Sequence, residues 1–223
     1  MTPALQKRLA HCTALPSLPG VAMRIIQMGQ DPEADPGTIA RIIGQDPALA
    51  AKLLRIANSP LYARRRRVDN LTQAVLLLGI NATVTLALSF TLVGALHARP
   101  SRALDYSRYW RRSLLAAIAS RVLGQRLGVG FCEELFLAGL LQDIGMLVLD
   151  TVMAEDYATV LAAAADPAAL AERERQMLGA DHAEVGAWIM GRWHLPDYLQ
   201  RAVARSEMAG DGADAEVFER CVA

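Results

Sequence analysis

From Asn70 to Leu96 the chain runs for 27 residues without a charge: NLTQAVLLLGINATVTLALSFTLVGAL. Such a run either crosses a bilayer or lies deep in a core. Two Asn, one Gln, four Thr and one Ser interrupt it, and arginines flank both ends without a one-sided bias. The run therefore reads as a central helix buried on most sides, and no membrane span is expected.

The rest of the chain reads as helix too. Leu18-Pro19, Asp35-Pro36, Asp46-Pro47 and Asp166-Pro167 put proline where a first helical residue would sit. At the Asp-Pro sites the carboxylate can accept the orphan N–H groups of the first turn. Asp181-His-Ala-Glu184 has capping-box spacing. Between these starts run 3.6-period apolar patterns: Ile39, Ile42 and Ile43; Leu49, Leu53, Leu54 and Ile56; Leu114, Leu115, Ile118, Val122 and Leu123. Alternating strand patterns are missing, and aromatics are only 5% against 53% hydrophobic residues. An all-α bundle of about ten helices is the expectation.

The net charge is zero but unevenly spread. Met1–Cys132 holds 17 basic and 6 acidic residues, whereas Glu133–Ala223 holds 6 basic and 17 acidic. Such asymmetry marks either a partner surface or two halves of one fold that attract each other. Three separated cysteines, Cys12, Cys132 and Cys221, suit a reducing cytoplasm, and the N-terminus does not read as a signal peptide. Ala209–Asp214 reads as a linker. The apolar pattern after it (Val217, Phe218, Cys221, Val222) breaks off within three turns, as if the natural chain continued.

No GxxxxGK[ST], GxGxxG, GxSxG or HExxH motif is present. The histidines are four: His11, His97, His182 and His194. One stretch stands apart. In Phe136–Leu149, FLAGLLQDIGMLVL, a single carboxylate, Asp143, sits at the centre of an apolar run, with Gly145 two residues on. A charge there needs a partner: an arginine, backbone N–H groups near a helix end, or a metal ion.

LAGLLQDIGMLVL resembles the signature helix of HD-superfamily phosphohydrolases, LxGLLHDIGKLxL. Other segments resemble one branch of that superfamily, the HDOD domain: LPSLPGVAMRIIQM, DPGTIARIIGQDPALAAKLLRIANSPLY, VDNLTQAVLLLGINATVTLALS, YWRRSLLAAIASRVL and GADHAEVGAWIMGRWHLPDYLQRAV. The resemblance divides the chain into an N-terminal helix (1–14), an HDOD domain (15–208), and a linker with the start of a truncated helix (209–223).

It also implies where a metal site would lie. Active HD enzymes supply a first His where this chain has Arg112, and the His of the His-Asp pair where it has Gln142. A later His-His pair falls where Arg205-Ser206 stands, so that only Asp143 and His182 match. Hydrolytic sites need about three or four His or carboxylate ligands. Gln is a poor substitute for imidazole, and Arg repels a cation. Arg112, Gln142, Asp143 and His182 are thus expected to form a vestigial site without catalytic residues, metal or cofactor, with the Arg112 guanidinium pairing with Asp143. His182, one residue past its cap, is in a position where an exposed imidazole is ordinary, and Asp181 and Glu184 read as caps.

A second feature is the basic stretch Lys52, Arg55, Tyr62, Arg64, Arg65, Arg66 and Arg67, with no acid between Lys52 and Arg67. It reads as a solvated loop or as a docking patch for an acidic protein or another anionic ligand. With Tyr62 as the sole nearby aromatic and no recognition-helix signature, it does not point to nucleic acid. The resemblance implies a non-catalytic signalling module of a bacterial cytoplasm. Its partner would be another signalling protein, or a C-terminal signalling domain such as GGDEF. The alternatives are a metal-dependent phosphohydrolase with a rearranged site using Asp143, His182 and other carboxylates, and a nucleic-acid binder using the Arg64–Arg67 loop.

Overall fold

Helices begin where a side chain can take up first-turn N–H groups. Asp35 caps Gly37 and Thr38, and Asp46 caps Ala48 and Leu49, with Pro36 and Pro47 as the first helical residues. Asn70, Asp105 and Asp181 cap in the same way, Asp181 within a full capping box with Glu184. A computed structural model describes residues 1–12, 15, 19–29, 31, 33–60, 62, 67–97, 103–164, 169–207 and 221–222. Among them are thirteen α-helices and no strand, an all-α architecture. Asp166-Pro167 lies outside the described residues.

The chain forms two compact units, residues 18–98 and residues 1–17 with 99–223. The first holds α2 (Gly20–Gly29), α3 (Pro36–Ile43), α4 (Pro47–Ala57), α5 (Leu71–Leu78) and α6 (Ile80–His97). There α2 packs on α6, α3 on α5, and α4 on both α5 and α6. The uncharged run that the sequence suggested as one central helix is two. Gly79, at φ +86°, a conformation that favours glycine, breaks it, and the two pieces meet at 113°. From Ala82 to Ser89 every residue of α6 is buried. Two of its buried hydroxyls bond back one turn, Thr83 to the Gly79 carbonyl at 2.7 Å and Ser89 to that of Thr85 at 2.8 Å.

The second unit holds α1 (Pro3–His11), α7 (Tyr106–Leu127), α8 (Cys132–Leu141), α9 (Ile144–Val152), α10 (Ala154–Ala163), α11 (Leu170–Leu178), α12 (His182–Arg192) and α13 (Asp197–Ala204). Here α7 packs along α8, α12 contacts both α9 and α13, and α10 contacts α9 and α11. Cys132–Val152 is long and apolar enough to cross a membrane, but 78% of its most apolar 18-residue window is buried, as in the core of a helical domain. α5 and α6 would qualify only if the bent pair counted as one span.

α7 corrects one expectation. Leu114, Leu115, Ile118, Val122 and Leu123, which the periodicity suggested as its core face, are exposed. The buried face is Tyr109, Ser113, Ala117, Ser120 and Gly124. The reason is close approach. A Cβ on Gly139 of α8 would lie 2.8 Å from the Ser120 hydroxyl and 2.9 Å from the Ala116 carbonyl oxygen, so α7 meets α8 nearer than leucines allow. Arg121 adds an ion pair to Glu133 at 2.8 Å.

α9 and α12 approach in the same manner at Gly145. A Cβ there would overlap the His182 carbonyl oxygen and come within 2.7 Å of the Gly186 nitrogen. Backbone cannot move aside as a flexible side chain would. Gly145→Ala is expected to destabilise by at least about 2 kcal/mol, in the upper range for overpacking, read as a lowered urea midpoint. A midpoint equal to that of the parent chain would contradict this contact.

Candidate functional site

Asp143 stands in the turn between α8 and α9. Its side chain makes no cap hydrogen bond, which leaves the carboxylate for other partners. It is 1% exposed, and a lone carboxylate at such depth would be costly. Arg112, reaching from α7, supplies the counter-charge through both arms of its fork. Nε donates to Oδ2 at 2.8 Å and Nη2 to Oδ1 at 2.9 Å. This planar bidentate geometry is the strong form of the pair, and lysine could not reproduce it.

His182 opens α12 directly beside Asp143. The sequence suggested an ordinary exposed imidazole, yet His182 is buried, because Gly145 lets the start of α12 back onto α9. Its Nδ1 donates to Glu174 Oε2 at 2.6 Å and its Nε2 to Glu207 Oε1 at 3.1 Å, with Asp143 Oδ1 3.6 Å from Nε2. Burial pushes the imidazole pKa down, but the hydrogen bonds to Glu174 and Glu207 outweigh it and raise the pKa to about 10. The hydrogen bond from His182 holds the Glu207 carboxyl below its ordinary range.

Glu174, on α11, is fully buried and saturated. Its Oε2 also accepts the His182 backbone N–H at 2.8 Å, and its Oε1 accepts the Tyr157 hydroxyl at 2.8 Å. Two of these groups went unnoticed in the sequence. Glu174 sits in the charged stretch LAERERQML, but falls on one helix face with the buried Leu170 and Ala171, a register that marks it as inward. Glu207 lies just past Arg205-Ser206 and carries no motif.

Of the four residues expected together, Arg112, Asp143 and His182 meet. Gln142 forms no hydrogen bond with them among the described residues, and its Oε1 is buried without a partner. Asp181 and Glu184 are a cap pair, and Arg175 holds the Asp181 carboxylate at 2.5 Å. Of the basic stretch, Arg64, Arg65 and Arg66 lie outside the described residues. Lys52 and Arg55 are exposed on α4, with the Lys52 ammonium 5.3 Å from the centre of the Phe90 ring. Arg67 is exposed and Tyr62 half-buried. The Asn58 amide clamps the base of this loop, donating to the Val68 carbonyl at 2.8 Å and accepting the Val68 N–H at 2.9 Å.

Asp143, His182 and Glu207 can each offer a ligand atom, all within 4.8 Å of one another. By distance they could hold a metal ion. By charge they fit one poorly: a guanidinium already occupies the Asp143 carboxylate, and a protonated imidazole has no lone pair to give.

In this all-α bundle the aspartate of the α8–α9 turn stands beside the histidine that opens α12. The chain belongs to the HDOD family, whose domain matches residues 15–209. It is similar to a structure from Shewanella amazonensis provisionally named a phosphohydrolase, with 26% identity and a TM-score of 0.82, covering 99% of this chain and 78% of that one. A Marinobacter aquaeolei structure, provisionally named a signal transduction protein, is 27% identical with a TM-score of 0.73, covering 98% of this chain and 52% of that one. An uncharacterized protein of Treponema pallidum is 25% identical over 188 residues, 82% of this chain. The chain spans 36% of the length of that relative.

Removing one partner should expose the cost of the other. Arg112→Met is expected to destabilise by roughly 2–3 kcal/mol, less than a fully buried pair because the arginine is partly solvated. Adding Asp143→Leu should recover most of that loss in chemical denaturation, and a double variant no more stable than the single would refute the pairing. The His182 contribution has a definite sign in pH. Its folded pKa lies above the ordinary 6.5, so its stabilisation is complete below about 6.5 and fades as pH rises toward about 10. Between about pH 7 and pH 10 the parent chain should therefore lose more stability than His182→Gln; parallel losses would contradict the protonated imidazole.

Proposed function

We propose that this chain is a non-catalytic signalling module of the HDOD type, in which side-chain cations have taken over the work of the metal in the related HD phosphohydrolases. The observation that carries the reading is the bidentate seat of Arg112 on Asp143. A fixed positive charge there opposes a divalent cation on the same carboxylate. Gln142 in place of the motif histidine, and His182 with both ring nitrogens turned to carboxylates, support it further. The cluster then serves as a structural core joining α7, α9, α11 and α12.

In this reading the activity is regulatory contact with another signalling protein, or with a signalling domain following this one, such as GGDEF, in a bacterial cytoplasm. The resemblance to the provisionally named signal transduction protein of Marinobacter aquaeolei supports a role of this class. Lys52, Arg55 and Arg67 remain a proposed basic patch for such a partner or for an anionic ligand.

A second reading has its own observation. Asp143, His182 and Glu207 are grouped closely enough for one ion, and the Shewanella amazonensis relative is provisionally named a phosphohydrolase. In that case the chain would be a metal-dependent phosphohydrolase with a rearranged ligand set.

Elemental analysis separates the two. Purified chain incubated with Mn²⁺, Fe²⁺ or Zn²⁺ and desalted is expected to retain far less than one ion per chain, with no hydrolysis of a phosphomonoester such as p-nitrophenyl phosphate. Arg112→His combined with Gln142→His should raise retention toward one ion, because it restores two imidazoles and removes the opposing cation. Stoichiometric metal in the parent chain would overturn the non-catalytic reading.

A further inference from the structure

α7 has two unlike faces. Its inward face, of small residues, lies against α8. Its outward face carries Leu114, Leu115, Ile118 and Val122, and Leu123 and Leu127 are exposed toward its C-terminal end, each of the six between 43% and 62% exposed. They are six of the eight large hydrophobic residues that stand exposed among the described residues. The other two, Leu76 and Met177, lie singly on α5 and α11, where scattered apolar groups need no explanation. Leu114, Ile118 and Val122 follow one another at i, i+4 and i+8, a ridge of the kind that fits between the ridges of a facing helix. Ala119, exposed beside it, leaves room for such a helix to approach.

Charge indicates what that helix carries. Between Tyr106 and Leu127 there are five arginines and no acid. Arg112 and Arg121 are turned inward to Asp143 and Glu133. Arg108, Arg111 and Arg126 are exposed near the two ends of the apolar ridge. At the N-terminal end the nearest acid, Asp105, is engaged in capping, accepting the Arg108 backbone N–H at 3.0 Å.

We propose that the outward face of α7 docks an amphipathic helix of a partner protein, with Leu- or Ile-type residues along its contact stripe and Asp or Glu on its flanks. A second copy of α7 is a poor occupant, because two arginine-bearing faces with no acid between them repel. A bilayer surface is also a poor match, since the face opposite the stripe is made of small residues packed on α8 and is not the charged, solvated face of an interfacial helix. The mode is helix-on-helix recognition, with the apolar ridge supplying affinity and the arginines supplying orientation and on-rate. The inference rests on the interaction-module reading for its biological sense, but the metal measurement and the binding measurement can fail separately.

The test uses the full chain and two synthetic peptides of about 21 residues, a length that can hold a helix. They share one Leu/Ile stripe and differ in carrying Glu or Lys on the flanks. By calorimetry the Glu-flanked peptide should bind saturably and the Lys-flanked one about tenfold more weakly or not at all. Arg111→Glu with Arg126→Glu should reverse that preference. Ile118→Ser should weaken binding about tenfold while leaving the thermal melt unchanged, because the side chain is exposed. Equal binding of the two peptides, or none, would overturn the proposal. So would concentration-dependent dimers abolished by Ile118→Ser, or equally tight adsorption to phosphatidylglycerol vesicles.

Discussion

Three carboxylates, Asp143, Glu174 and Glu207, converge on one place in the helical core, and cations must balance them there. Two side chains stand against them, the Arg112 guanidinium and the His182 imidazole. Their shapes have geometric consequences. A metal gathers ligands around a point, whereas a planar guanidinium and a two-sided imidazole join groups in a chain: Arg112 to Asp143, and Glu207 to His182 to Glu174 to Tyr157. Positions far apart in sequence are thereby tied together, and the polar network is satisfied at nearly every atom, the condition under which buried charge is tolerated.

The same cluster sets the orientation of α7. Arg112 must point inward to reach Asp143, and Arg121 must do so to reach Glu133. On the inward face Ser113, Ala117, Ser120 and Gly124 permit close contact with α8. What remains outward is the most apolar part of the helix, so the inward turn of two arginines and the exposure of six large hydrophobics have one cause. Periodicity alone pointed to the opposite face, since it ranks positions by hydropathy and cannot see how near the next helix comes.

Much of the fold was legible because helix starts are local. Asp35, Asp46 and Asp181 cap the helices that follow them, since a cap needs only residues within three positions. The HDOD resemblance was legible from ordered motifs, and it brought Asp143, Arg112 and His182 forward. The break at Gly79 was harder to see: a glycine in an apolar run is compatible with a continuous helix, and only packing on both sides of the bend selects φ +86°. Glu174 and Glu207 carry no sequence signal, because acids on helical stretches are usually solvated. Their roles depend on His182, eight and twenty-five residues away.

By itself, then, the sequence determined that the chain is helical, where most helices start, and that one aspartate lies inside an apolar run in need of a counter-charge. Tertiary structure decided which charge answers it, that His182 is buried and doubly bonded, and which face of α7 meets solvent. The reason lies in range. Capping and periodicity act over one or two turns, whereas charge neutralisation and helix approach depend on groups that only the completed fold brings within 3–4 Å.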